Sequence, residues 1–161
     1  MISQKMTDAV NDQIKAELES AYLYLAMSAY LEAKNLKGMA HWLEQQRKEE
    51  VTHADRFMKY LYERGARVIL GAISKPAEEF GAPLDVFKAI VKHEQHVTGK
   101  INKLMDLAIE EKDYASQSML KWFIDEQVEE EASAEDIVNK LEFLGDAKAS
   151  MYLLDKEMGA R

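Results

Sequence analysis

GARVILGAISKPAEEFGA, residues 65–82, holds three of the chain's seven glycines and one of its two prolines. Long helical patterns flank it on both sides. Helix–helix turns usually take a handful of residues, so this segment is too long to be one. Extended, 18 residues reach roughly 60 Å, whereas a 27-residue helix is only about 40 Å long. The segment can therefore run the length of a bundle and return the chain to the end from which the second helix started. That makes helices two and three parallel, each paired antiparallel with its sequence neighbour. The expected fold is an all-α four-helix bundle with one long crossover.

Outside this stretch breakers are sparse, and only Gly99 interrupts a long periodic segment. Apolar periodicity and punctuation predict helices over about 4–35, 38–64, 83–112 and 114–144. Pro83 is suited to a first turn. KNLKG and EKD provide short turns, and DAKASMYLLDKEM suits a short fifth C-terminal helix over 146–158. The whole of 1–161 reads as one domain, of a size that can bury a real core.

Composition narrows the function. A net charge of −8 disfavours nucleic acid as a partner and suits a protein that attracts cations. Without cysteine there are no disulfides, thiolate zinc sites or iron–sulfur clusters. The opening MISQKMTDAV has no apolar signal core, and AYLYLAMSAYL is far shorter than a membrane span. The expectation is a cytoplasmic protein with no membrane partner.

Each long helix carries an apolar stripe read in steps of three and four. In the first it is Val10, Ile14, Glu17, Ala21, Tyr24, Ser28 and Leu31. In the second it is Met39, Leu43, Gln46, Glu50, His53, Phe57 and Tyr60. The third has Leu84, Phe87, Val91, Glu94, Thr98, Ile101 and Met105. The fourth has Leu120, Phe123, Gln127, Glu130, Ala134, Ile137 and Leu141. Every stripe is interrupted mid-helix by a carboxylate. An offset of 77 residues carries Glu17 onto Glu94, Glu49 onto Glu126, Glu50 onto Gln127 and His53 onto Glu130. Glu17 and His53 lie about 18 residues either side of the first turn, and Glu94 and Glu130 about 18 either side of the second. In antiparallel pairs equal counts mean equal height, so Glu17, Glu50, His53, Glu94, Gln127 and Glu130 converge on one level.

Four buried carboxylates repel one another and lose hydration; bound cations relieve both costs. The set is one Glu from each of two helices, one Glu-x-x-His and one Gln-x-x-Glu. Dimetal carboxylate bundles use two Glu and two Glu-x-x-His, so the two metal positions here should differ. An oxygen-rich set with one imidazole favours iron or manganese over structural zinc. Gln127 is open to two roles, ligand or hydrogen-bond donor to a carboxylate. EQVEEE over 126–131 reads equally as a solvated acidic face or as an auxiliary cation site of Glu49, Glu126 and Glu129 beside Glu130. HEQH at 93–96 lacks the spacing of a zinc-protease helix, and His41, His93 and His96 are expected at the surface. Tyr24 and Trp122 fall near the site's height, as core packing or redox partners.

NDQIKAELESAYLYL, GMAHWLEQQRKEEVTHADRF, ERGARV, EEKDYAS and WFIDEQVEEEAS resemble, over nearly the whole chain, the prokaryotic non-haem ferritins. The resemblance implies a ferritin-like bundle with a ferroxidase centre. Glu17, Glu50 and His53 would hold one iron, and Glu50, Glu94 and Glu130 the other, with Glu50 bridging and Gln127 alongside. A third iron would use Glu49, Glu126, Glu129 and Glu130, and Tyr24 and Trp122 match aromatics beside the centre. It further implies Fe(II) with O2 or peroxide as substrates, storage of a ferric mineral, a homo-oligomeric 24-subunit shell, and a fifth helix near an inter-subunit pore. Val51 and Thr52 stand where bacterioferritins carry a haem-ligating methionine, so no haem is expected. Glu19 replaces an expected aromatic, Ala66 a usual glycine, and Val68–Leu70 is unusually apolar. The competing readings are a di-iron oxygenase or peroxidase without storage, and a non-catalytic interaction bundle.

Overall fold

The computed structural model describes residues 1–145 and 147–160. Among them the chain forms α1 (Gln4–Ala33), α2 (Lys37–Glu63), α3 (Pro83–Glu110), α4 (Tyr114–Leu144) and α5 (Lys148–Met158). Asp146, where the fifth helix was expected to begin, lies outside the described residues. α1 and α3 end earlier than periodicity suggested because the same closure consumes their last residues. Asn35 N–H bonds Glu32 O and Leu36 N–H bonds Leu31 O; Lys112 N–H bonds Ile109 O and Asp113 N–H bonds Ala108 O. These paired bonds satisfy the orphan carbonyls of a helix end and require a left-handed residue. That residue is Asn35 (φ 59°) after α1, Gly65 (φ 70°) after α2 and Lys112 (φ 55°) after α3. Asp113 then caps α4, its carboxylate accepting from Ser116 N–H at 3.2 Å.

The crossover lies along α1 and runs in the same direction. Asn11, buried in α1, donates to Arg67 O at 3.1 Å and accepts from Ile69 N–H at 2.8 Å. One turn and more further on, Lys15 lies against Gly71, and Glu19 accepts from Ser74 N–H at 3.1 Å. Near the end, Tyr30 OH donates to Gly81 O at 2.8 Å and its ring packs edge-on against Phe80. The crossover thus ends at the far end of α1, where α3 begins, and α2 and α3 are parallel. Glu19, where an aromatic was expected, is a polar clamp on this segment. Val68 packs on the core, while Ile69 and Leu70 remain exposed.

Two apolar clusters fill the bundle. One, around Leu31, Met39, Phe87 and Leu141, occupies the α1–α2 turn end. The other, around Met6, Val10, Phe57, Leu61, Leu104 and Phe123, occupies the opposite end. Between them lies a layer of buried polar side chains. No described helix is long and apolar enough to cross a membrane.

α5 seats on the start of α2. Leu36 has no side chain to cap α2, and Asp155 from α5 supplies the missing acceptor, taking Met39 N–H at 2.9 Å. Contact is so close that a Cβ on Gly38 would fall 1.6 Å from Asp155 O. Glycine here is a packing requirement rather than a conformational one.

Candidate metal centre

The polar layer gathers Glu17, Glu50, His53, Glu94, Gln127 and Glu130, all buried. Their helices deliver them as the stripes require: Glu50 and His53 are one turn apart on α2, and Gln127 and Glu130 one turn apart on α4. One oxygen each from Glu17 and Glu50 and one nitrogen of His53 come within 4.8 Å of one another. His53, Glu126 and Glu130 form a second such group. Glu49 and Glu129 lie outside both groups, yet close enough that burial first, then their two charges, push the Glu126 carboxyl above its usual range.

Neutral donors hold three of the four central carboxylates. Gln13 donates to Glu17 Oε1 at 2.8 Å and Gln46 to Glu130 Oε2 at 2.6 Å. Tyr24 OH donates to Glu94 Oε1. The Gln127 amide donates to Glu94 Oε2 at 3.1 Å, so in this structure it acts as a hydrogen-bond donor to a carboxylate. Three buried polar atoms have no hydrogen-bond partner among the described residues: Glu17 Oε2, Glu50 Oε2 and His53 Nδ1. They belong to the three residues of the first group. His53 Nδ1 lies 3.4 Å from Glu50 Oε2 without a bonding geometry. Buried orphans normally cost roughly 1–3 kcal/mol each; three together on acidic and imidazole groups offer the donor types that a hard or borderline cation takes.

Burial and crowding set the protonation of these groups. Burial raises the Glu17 carboxyl to about 7 and the Glu130 carboxyl to about 8, with Glu94 adding to the latter. Glu50 is pushed well above its ordinary range by burial, then by Glu17 and Glu94. Burial also raises Glu94, against the hydrogen bonds from Tyr24 and Gln127. Burial, and then the charge of Arg56, lower His53 to about 4, so the imidazole is neutral and able to ligate.

Around this layer Trp122 meets the His53 ring edge-on at 5.6 Å, with Arg56 stacked 4.0 Å over its face. His93 corrects an expectation. It is not a surface residue but half-buried in the α1–α3 seam, edge-on to Tyr24 and 2.7 Å from Ser20 Oγ. One step from Glu94 on a helix is a rotation of about 100°, which carries it into the seam rather than out to water. His41 and His96 are exposed. The supporting glutamines were the residues that sequence reasoning passed over. Gln46 stands on the α2 stripe and Gln13 four residues before Glu17, and that placement was the available signal.

A family model described as a ferritin-like domain matches residues 7–144. The chain belongs to the ferritin family, the proteins of iron storage. Bacterial non-haem ferritins from Bacteroides fragilis (strain 638R) and Staphylococcus aureus (strain USA300) are 42% and 40% identical to it over 161 residues, covering all of this chain and 100% and 97% of theirs. An open-pore ferritin of the archaeon Archaeoglobus fulgidus superposes with a TM-score of 0.99 at 45% identity, covering 100% of this chain and 99% of that one. Within the family its full-length relatives are thus the prokaryotic non-haem ferritins.

Proposed function

We propose that the chain is a ferroxidase that oxidises Fe(II) at the polar layer and stores the product as ferric mineral. The observation that carries this is that Glu17, Glu50 and His53, which bring ligand atoms within 4.8 Å of one another, each keep a buried polar atom without a hydrogen-bond partner among the described residues. One Fe(II) takes these three residues. A second takes Glu50, Glu94 and Glu130, with Gln127 oriented on Glu94 and Glu50 shared between the metals. Short metal–metal separation across a shared carboxylate suits a two-electron step. Each Fe(II) gives one electron; O2 takes the two with two protons and leaves as hydrogen peroxide, or peroxide takes them to give water.

The chain's own residues supply the bias. Carboxylates crowded in a buried layer are stabilised more by Fe(III) than by Fe(II), which favours oxidation. Tyr24 donates its hydroxyl to Glu94 and so orients a carboxylate of the second iron position. Glu49, Glu126 and Glu129, with Glu130, form a third iron position through which Fe(II) arrives or Fe(III) leaves. The working assembly is a cytoplasmic homo-oligomeric shell of 24 copies, as the family resemblance implies, enclosing the mineral.

Aerobic Fe(II) titration of the metal-free protein in stopped flow tests the reading. A fast Fe(III) absorbance phase saturating near about two irons per chain, then slower growth far beyond it, is expected. Glu50→Ala should lose the fast phase; unchanged kinetics would sink the assignment.

A further inference from the structure

We propose that Glu126 is a positioning residue for His53: it accepts the Nε2–H of the imidazole and thereby presents Nδ1 to the inner metal. The inference rests on the metal-centre reading above and adds a role that the third iron position does not require.

The two ring nitrogens of His53 face different carboxylates. Nδ1 lies 3.4 Å from Glu50 Oε2, and Nε2 lies 3.9 Å from Glu126 Oε1. Trp122 and Phe123 meet the ring edge-on, at interplanar angles of 74° and 80°. Those contacts fix the ring plane, but they do not distinguish the ring from the same ring turned by half a revolution. Turning it would put carbon where Nδ1 now faces Glu50. The choice therefore falls to polar groups at the ring's two ends. Nδ1 has no hydrogen-bond partner, so nothing on the inner side keeps that nitrogen inward before metal arrives. On the outer side Glu126 Oε1 stands 3.9 Å from Nε2, beyond hydrogen-bond length, and a closure of about 1 Å brings it to one. A neutral imidazole carries one N–H. With that proton on Nε2 towards Glu126, the Nδ1 lone pair is left for the cation. A carboxylate behind a ligating imidazole also raises its basicity, and losing such a partner typically costs about 10- to 100-fold in metal affinity. Glu126 is partly exposed, with Glu49, Glu129 and Arg56 as its charged neighbours.

The test is Co(II) binding to the metal-free full-length protein, read by its visible absorption, in wild type, Glu126→Ala, Glu126→Gln and the charge control Asp125→Ala. Wild type taking up about two tight Co(II) per chain tests the metal centre itself; absence of tight sites overturns that reading and this one with it. Given tight sites, Glu126→Ala should weaken the His53-bound Co(II) about 10- to 100-fold and alter its band shape. Glu126→Gln, which keeps an oxygen acceptor but alters a ligand of the third iron position, should weaken the His53-bound Co(II) clearly less than Glu126→Ala does, and Asp125→Ala should stay near wild type. Equal loss in the Ala and Gln variants would mean that charge, not orientation, is what Glu126 supplies. No loss in either would mean that it does not position His53. Either result overturns the proposal while leaving the metal centre intact.

Discussion

Raising the pH of the metal-free protein from 6.5 to 8.5 should destabilise it. Glu17 and Glu130 ionise near 7 and 8 in the fold but near 4.5 once unfolded. Between those limits the folded chain holds protons that the unfolded chain has released, so stability falls as pH rises. The penalty is absent below 4.5 and complete above about 8. His53 and His93, both lowered to about 4, work the other way: they destabilise the fold at pH below 6.5 and contribute nothing above it. From pH 6.5 upward only the carboxylates remain. At about 1.4 kcal/mol per pH unit of displaced titration, Glu17 has lost most of its share by pH 6.5, and Glu130 carries most of the remainder. The two together give a loss of about 3 kcal/mol across the window. For a chain of this size that is a fall in Tm of about 6–12 °C. Metal reverses the trend, because ligands must be deprotonated to bind and affinity grows with pH. Thermal scans of metal-free and Co(II)-saturated protein, alongside a Glu17→Gln/Glu130→Gln variant, make the measurement. A metal-free Tm that stays level or rises, or a variant that keeps the wild-type slope, would refute the reasoning.

Four further substitutions have expected outcomes. Gly38→Ala puts a methyl group 1.6 Å from a backbone oxygen of α5, so α5 must move; amide exchange over Met151–Met158 should speed up sharply, and Asp155→Ala should cost about 1 kcal/mol through loss of the α2 cap. Asn11→Ala frees Arg67 O and Ile69 N–H; it should lower stability by about 2 kcal/mol in denaturant titration and expose the Ile69 amide to exchange. Lys112→Gly relieves a left-handed lysine (φ 55°) at the end of α3 and should stabilise the protein by about 1 kcal/mol, raising Tm by about 2–4 °C.

Much of the candidate centre is legible in the sequence. Glu17, Glu50, His53, Glu94 and Glu130 each interrupt an apolar stripe, and a fixed offset sets them at one height, because helical geometry makes facing direction and axial rise simple functions of residue number. The length of 65–82 likewise dictated a crossover and hence parallel α2 and α3. Less could be read where contacts join distant segments at angles that periodicity does not specify. His93 looked like a surface residue because its own helix turns it away from the stripe; only the approach of α1 places Tyr24 and Ser20 over it. Gln13 and Gln46 looked like ordinary polar residues until their partners, Glu17 and Glu130, were in place.

The sequence by itself determined the bundle, its connectivity and a buried carboxylate layer, since these follow from helical period, breaker spacing and the cost of buried charge. Tertiary structure alone decided which atoms in that layer are left unpartnered, which nitrogen of His53 faces Glu50 and which faces Glu126, and that Asp155 of α5 caps a helix more than a hundred residues earlier. Hydrogen bonds and ligand geometry act over fractions of an ångström between side chains whose rotamers are chosen by packing, and residue spacing along one helix does not encode that choice.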